Sequence, residues 1–151
     1  MTRKVSKSSG VPSPIRRLYS VINTKKTGAE SAYAGDKLTP IAGEVTEHSM
    51  QRIVQIMMQL MHFDASSRVI DIGCGQGKPS LHFAFAVNPS FNVGIEIVPW
   101  RWYQATTNLT KVCDESLRGK IPYPNCFFEL GNIRRAKSFD PFTHIYMFST
   151  G

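Results

Sequence analysis

The residues best suited to chemistry lie in one run, Ser67-Arg68-Val69-Ile70-Asp71-Ile72-Gly73-Cys74-Gly75-Gln76-Gly77-Lys78-Pro79. Three glycines at every second position let a turn tighten and let a ligand lie against bare backbone. A helix opening behind such a turn aims N–H groups and positive potential at that ligand. Glu96 ends the next apolar run, about 20 residues after the glycines, where an acid accepts hydrogen bonds from ribose hydroxyls. An adenosine ligand is the natural inference. Spacing narrows it further. A dinucleotide fingerprint reads GxGxxG, whereas Gly73, Gly75 and Gly77 give GxGxG and Lys78 stands where the third dinucleotide glycine belongs. Asp71 lies two residues before the first glycine. Its carboxylate would repel a pyrophosphate but can hold the ammonium of an amino acid. A dehydrogenase is therefore disfavoured.

The elements that must position these residues are legible in outline. Val69–Ile72 reads as a short strand buried on both faces. Pro79 suits a first helical position, and the helix continues through Val87 until Asn88-Pro89 stops it. Phe91–Ile95 is a second strand. A helix follows to about Leu117, with Trp100, Trp102 and Tyr103 as packing residues at its start, and Gly119 and Pro122 break the chain. Cys126–Leu130 is the third strand, ended by Gly131-Asn132, and Thr143–Phe148 the fourth. Upstream, Ile53, Val54, Met57, Leu60 and Met61 recur at helical steps over 46–62. Thr46 suits the N-cap and Glu47 the first turn, and the methionine stripe reads as core filler. Strands alternating with helices predict a parallel α/β sheet with its ligand at the strands' carboxyl ends.

Composition sets the bounds. The chain has 151 residues, 42% apolar and 19% charged, and a formal net charge of +7. That is one domain's worth of chain with enough apolar material for a core. No apolar run is long enough to cross a bilayer, and no apolar stretch behind the first basic residues reads as a secretory signal. Cys74, Cys113 and Cys126 are odd in number and widely spaced, which excludes a disulfide framework or paired-cysteine zinc site and fits a reducing compartment. The four histidines have no metal-binding spacing, so no metal is expected. Residues 1–40 hold eight basic and two acidic side chains, against ten and nine in 41–151. The chain thus divides into a basic, mostly disordered arm (1–40), with Leu18–Ile22 its one candidate for order, and a folded domain (41–151). The arm suits phosphate binding, DNA included, or serves as a solubilising leader. Arg134, Arg135 and Lys137 read as a solvated basic loop, in preference to a contact with an acidic substrate surface.

Asp71 and the three glycines resemble motif I of class I methyltransferases, which bind S-adenosylmethionine. From about Gly43 to Gly151 the chain further resembles the family named for disruption of telomeric silencing, histone-lysine methyltransferases of class I rather than SET fold. That resemblance rests on Gly43-Glu44-Val45-Thr46, with Ala42 in the family's tyrosine place, on Asp71–Gly77, on Gly94-Ile95-Glu96, and on Gly131-Asn132 where the family has Gly-Asp. It implies a Rossmann-like class I sheet, incomplete at its C-terminal side, with S-adenosylmethionine as cofactor. It also implies a histone lysine in the nucleosome as substrate, and a nuclear location. Carried over by residue, Glu44 and Thr46 lie beside the methionine part of the cofactor. Asp71 and Gly73 hold that part, with Gly75 and Gly77 completing the turn. Glu96 binds the ribose, Ile97 packs on the adenine, and Asn132 meets the adenine amine.

Lys78 replaces a glutamine that helps hold the cofactor in that family. The fourth strand ends Met147-Phe148-Ser149-Thr150 where the family has an asparagine pair beside the methyl group. No catalytic residue is identified, and strand position alone offers Tyr146 and Phe148 as lining for a substrate channel. The implied reaction is in-line transfer of a methyl group to a neutral lysine amine, which needs positioning and exclusion of water. Two other readings stand beside it: a truncated, non-catalytic binding module, and a class I methyltransferase acting on RNA or a small molecule.

Overall fold

A computed structural model describes residues 12–22 and 45–148. Four strands, β1 (Arg68–Ile72), β2 (Phe91–Glu96), β3 (Phe127–Leu130) and β4 (His144–Met147), form one sheet in the order β3-β2-β1-β4. Each neighbouring pair is parallel. Parallel neighbours require crossovers. Helices supply two of them: α3 (Lys78–Ala86) joins β1 to β2, and α4 (Pro99–Leu117) joins β2 to β3. Between β3 and β4 the described chain holds a single 3-10 turn, Ile133–Arg135. The expected α/β sheet of Rossmann-like class I type is present.

The helix boundaries have local causes. Thr46 Oγ1 accepts the Ser49 N–H at 3.2 Å and opens α2 (Glu47–Leu60), as its side chain predicts. Gly77, with φ +84°, is the N-cap of α3, and Pro79 lies in the first turn, where a missing N–H costs nothing. Gly119, with φ +70°, follows the end of α4.

One expectation is corrected. Part of the predicted disordered arm is helix α1 (Ser13–Val21), whose Ile15 and Leu18 are buried, as is Ile22 just beyond it. Leu18 and Ile22 pack with Leu81, Val112 and Ile121. The reason is spacing: Ile15, Leu18 and Ile22 recur at three and four residues, a narrow apolar stripe inside a polar, basic segment. The rest of 1–40 and the expected domain start at 41 lie outside the described residues.

The four described helices cover one face of the sheet. Met50, Val54, Met57 and Phe83 pack there against Val69 and Tyr146. Farther along the same face, Phe128 joins the cluster of Leu81 and Val112. On the opposite face Phe127, Ile145 and Met147 are exposed, although parallel sheets ordinarily bury both sides.

Candidate functional site

The glycine turn leaves β1 at the carboxyl edge of the sheet, beside the ends of β2, β3 and β4. Gly73 and Gly75 have φ of +73° and +57°, a backbone that residues with a side chain rarely adopt. A Cβ at either position would meet nothing within 4 Å, so one side of the turn is open backbone. The other side is closed. A Cβ on Gly77 would lie 2.4 Å from the Phe128 ring.

Glu96 ties β2 to this turn. It is 3% exposed. Its Oε2 accepts the Gly75 N–H and its Oε1 accepts the Val98 N–H, each at 2.9 Å. A carboxylate offers about four lone-pair sites, so each oxygen can still accept a hydroxyl. Ile97, next in sequence, is 46% exposed and gives an apolar surface beside that acid. Glycines open to a ligand, a fixed acid with acceptor capacity and an adjoining apolar side chain fit an adenosine-containing ligand.

Asp71 is 1% exposed. Its Oδ2 accepts the Ser80 hydroxyl at 2.8 Å. Burial, with a smaller push from Glu96, raises its pKa to about 7. It stands where a cationic group would find a carboxylate, and a bound ammonium would favour its ionised form.

The remaining predicted residues are placed less simply. Asn132 lies just past β3, but its Oδ1 accepts the Arg134 N–H at 3.0 Å and caps the 3-10 turn. The carbonyl expected to meet an adenine amine is thus already engaged by one donor. Thr46 sits at the amino end of α2, its hydroxyl bonded to Ser49. Lys78 is the first residue of α3. Phe148 follows β4 and is half exposed, whereas Tyr146 is buried against Phe83 and helix α2. Two residues apart, they would share a face in a continuing strand, but β4 ends at Met147 and Phe148 lies just beyond it. Tyr146 Oη has no hydrogen-bond partner among the described residues. Glu44 lies outside the described residues. Among the described residues no group of three or more His, Cys, Asp or Glu side chains could hold a metal ion.

Sequence reasoning missed three supports. Ser80 fixes Asp71, Asn108 donates its side-chain N–H to the Gln76 carbonyl at 3.1 Å, and Phe128 fills the space behind Gly77 and Gly94. Asn108 carried a legible signal: with Ala105 and Val112 it lies on the buried stripe of α4, where an amide needs a partner.

The family model of protein-L-isoaspartate(D-aspartate) O-methyltransferase matches residues 22–146. No curated protein matches the chain. A solved protein-L-isoaspartate O-methyltransferase is similar with a TM-score of 0.53 and 18% identity, over 91% of this chain and 43% of that one. A SAM-dependent methyltransferase from Geobacter sulfurreducens, in complex with S-adenosyl-L-homocysteine, gives 0.53 and 15%, over 89% and 43%. YjhP from E. coli gives 0.52 and 12%, over 87% and 43%. The chain spans less than half the length of each of these three structures.

Proposed function

The chain belongs to the protein-L-isoaspartate(D-aspartate) O-methyltransferase family, and from that premise we propose that it is the cofactor-holding part of an S-adenosylmethionine-dependent methyltransferase acting on a protein side chain. The observation that carries this reading is the pairing of an open glycine turn with Glu96, which is fixed at the end of β2 yet keeps acceptor capacity. When bound, the cofactor supplies an electrophilic methyl group on a sulfonium. The chain's own residues do the holding. Glu96 takes the ribose hydroxyls, Ile97 covers the adenine, and Asp71 faces the ammonium. Gly73 and Gly75 let the ligand approach the backbone.

The acceptor follows from the family and from charge. Family membership points to the carboxylate of an isoaspartyl residue. Arg134 and Arg135 are exposed in the turn just after Asn132, on the rim where the strands end. Cations there attract an anionic acceptor and repel a lysine-bearing one. A carboxylate is already ionised at neutral pH, so the site need not strip a proton from it.

A second reading keeps the resemblance to the silencing family: transfer to a histone lysine in the nucleus. The eight basic residues of 1–40 favour it, because they would meet nucleosomal DNA. One experiment separates these readings. The chain is titrated with S-adenosylhomocysteine, then incubated with methyl-labelled cofactor and either an isoaspartyl peptide or nucleosomes. Label released by mild alkali marks a methyl ester, and label that survives marks a methyl-lysine. Binding without transfer to either acceptor points to RNA or small-molecule substrates, or to a binding module. Absence of binding by the folded chain overturns the proposal.

A further inference from the structure

The two sides of the glycine turn differ in kind. The side of Gly73 and Gly75 is open, whereas the side of Gln76 and Gly77 is braced by β3 and α4. Three contacts make the brace. Asn108, 2% exposed in the middle of α4, donates Nδ2–H to the Gln76 carbonyl at 3.1 Å. The Phe128 ring lies where a Cβ of Gly77 or of Gly94 would fall, at 2.4 and 2.7 Å. Trp102, near the start of α4, donates its indole N–H to the Phe128 carbonyl at 3.1 Å and so ties α4 to β3.

We propose that Asn108 is a positioning residue for the cofactor turn: by fixing the Gln76 carbonyl against α4 it holds the open side of the turn toward the ligand without touching the ligand. Gln76 stands between two glycines of positive φ, a residue type with wide backbone freedom. Its peptide group needs an anchor if the N–H groups of residues 73–77 are to keep their orientation. Gly77 N–H reaches the Cys74 carbonyl at 2.9 Å and Gly75 N–H reaches Glu96, both within the turn's own neighbourhood. Asn108 supplies an anchor from a separate, buried helix. Phe128 blocks the turn from collapsing the other way. This inference rests on the reading of the turn as the cofactor site.

The test uses the full chain. Wild type, N108L, N108D and N108Q are titrated calorimetrically with S-adenosylhomocysteine, and amide exchange of residues 73–78 is followed in the unliganded proteins. N108L loses the donor, N108D puts an acceptor in its place, and N108Q keeps a donor. Expected for N108L and N108D is a Kd raised by about tenfold, the equivalent of one buried hydrogen bond. The turn amides should exchange faster while those of Val54 and Met57 in α2 keep wild-type protection, and N108Q should recover most of both losses. Wild-type Kd and wild-type turn protection in N108L would overturn the proposal. So would faster exchange spread equally over α2, which marks a merely structural role. Should N108L fail to fold, N108A, which also lacks a donor, carries the same comparison. If wild type binds no S-adenosylhomocysteine, the cofactor reading fails, and the exchange measurement still decides whether Asn108 holds the turn.

Discussion

The Glu96 carboxylate accepts the Gly75 N–H at 2.9 Å, so the end of β2 holds the turn that follows β1. The same carboxylate accepts the Val98 N–H, which fixes the start of α4. One buried acid thus positions both a glycine turn and a helix while facing the ligand side. Glu96→Gln replaces one acceptor oxygen by an amino group, which then faces a backbone N–H. A buried donor is left unsatisfied, at a cost of about 1–3 kcal/mol. Expected are a fall in melting temperature and a loss of S-adenosylhomocysteine affinity exceeding tenfold. Thermal scanning and calorimetry of the same preparations check both.

Asp71 sets a pH dependence of opposite sign for stability and for binding. Its folded pKa, raised to about 7 mainly by burial, lies above its unfolded value. Its contribution to stability is therefore fully present below about pH 3.9 and is lost as pH rises through about 7. Asp71→Asn removes that dependence, so the variant should melt higher than wild type at pH 8, with the gap closing toward pH 5. Contact with an ammonium requires the carboxylate form, so wild-type affinity should rise with pH and level off above about 7. In Asp71→Asn the affinity should be weak and flat. Melting and titration series over pH 5–8 test both signs, and an Asp71→Asn variant binding as tightly as wild type would remove Asp71 from the site.

Gly75 and Gly77 should separate binding from stability. Both have positive φ, so alanine strains the backbone at either position by about 1 kcal/mol. At Gly75 the new methyl enters open space on the ligand side, whereas at Gly77 it strikes the Phe128 ring. Gly75→Ala should melt slightly below wild type and lose most cofactor affinity. Gly77→Ala should lose more stability, by a further 1–3 kcal/mol or so for overpacking. Equal melting temperatures for the two variants would contradict this assignment of the turn's open and closed sides.

Much of the site was legible because its signals are local. The spacing of Gly73, Gly75 and Gly77, the short β1 and the acid ending β2 are properties of consecutive residues, and all reappear in the structure. Pairings distant in sequence were not legible. Nothing near Asp71 announces Ser80 as its donor, and nothing near Gly77 announces Phe128, which lies 51 residues on and reaches it only because β3 pairs with β2. Asn132 has a second, local role that its position after β3 did not announce: its carbonyl accepts the Arg134 N–H and caps the 3-10 turn, as asparagine side chains commonly do at helix starts. Helix α1 was legible only in part: Leu18–Ile22 stood out as a candidate for order, but the helix start and the buried Ile15 were masked by the surrounding arginines and serines.

That helix is held by more than apolar contact. Tyr19 Oη lies 3.1 Å from His82 Nδ1, and His82 Nε2 lies 2.8 Å from Gln51 Oε1. Burial lowers the His82 pKa to about 4, so the ring is neutral. Gln51 Oε1 can only accept, which puts the ring proton on Nε2 and makes Tyr19 the donor to Nδ1. His82 therefore contributes stability that is present above its unfolded pKa, about 6.5, and lost as pH falls through about 4. Tyr19→Phe leaves a buried ring nitrogen unpaired and should cost about 1–2 kcal/mol. Removal of residues 1–22 also uncovers Leu81, Val112 and Ile121 and should cost more. Denaturant unfolding of both variants checks the order, and a truncated chain as stable as the full one would show that α1 does not dock.

The sheet face opposite the helices predicts how the chain behaves on its own. Phe127, Ile145 and Met147 stand exposed there, and among the described residues β4 is an edge strand without a charged residue. Lysine or glutamate on an edge discourages pairing with another chain. β3, the other edge, has Glu129; β4 has no such guard. An apolar face beside an unguarded edge favours self-association. The 151-residue chain should therefore sediment as dimers or larger species whose proportion rises with concentration. A double variant, Ile145→Lys with Met147→Lys, places two charges on that face and leaves the helix-side residues His144 and Tyr146 in place. It should sediment as a monomer with its S-adenosylhomocysteine affinity retained, because the cofactor turn lies on β1 and not on the outer edge. Monomeric wild-type chain at high concentration would refute the association, and loss of affinity in the lysine variant would tie the open face to the cofactor site.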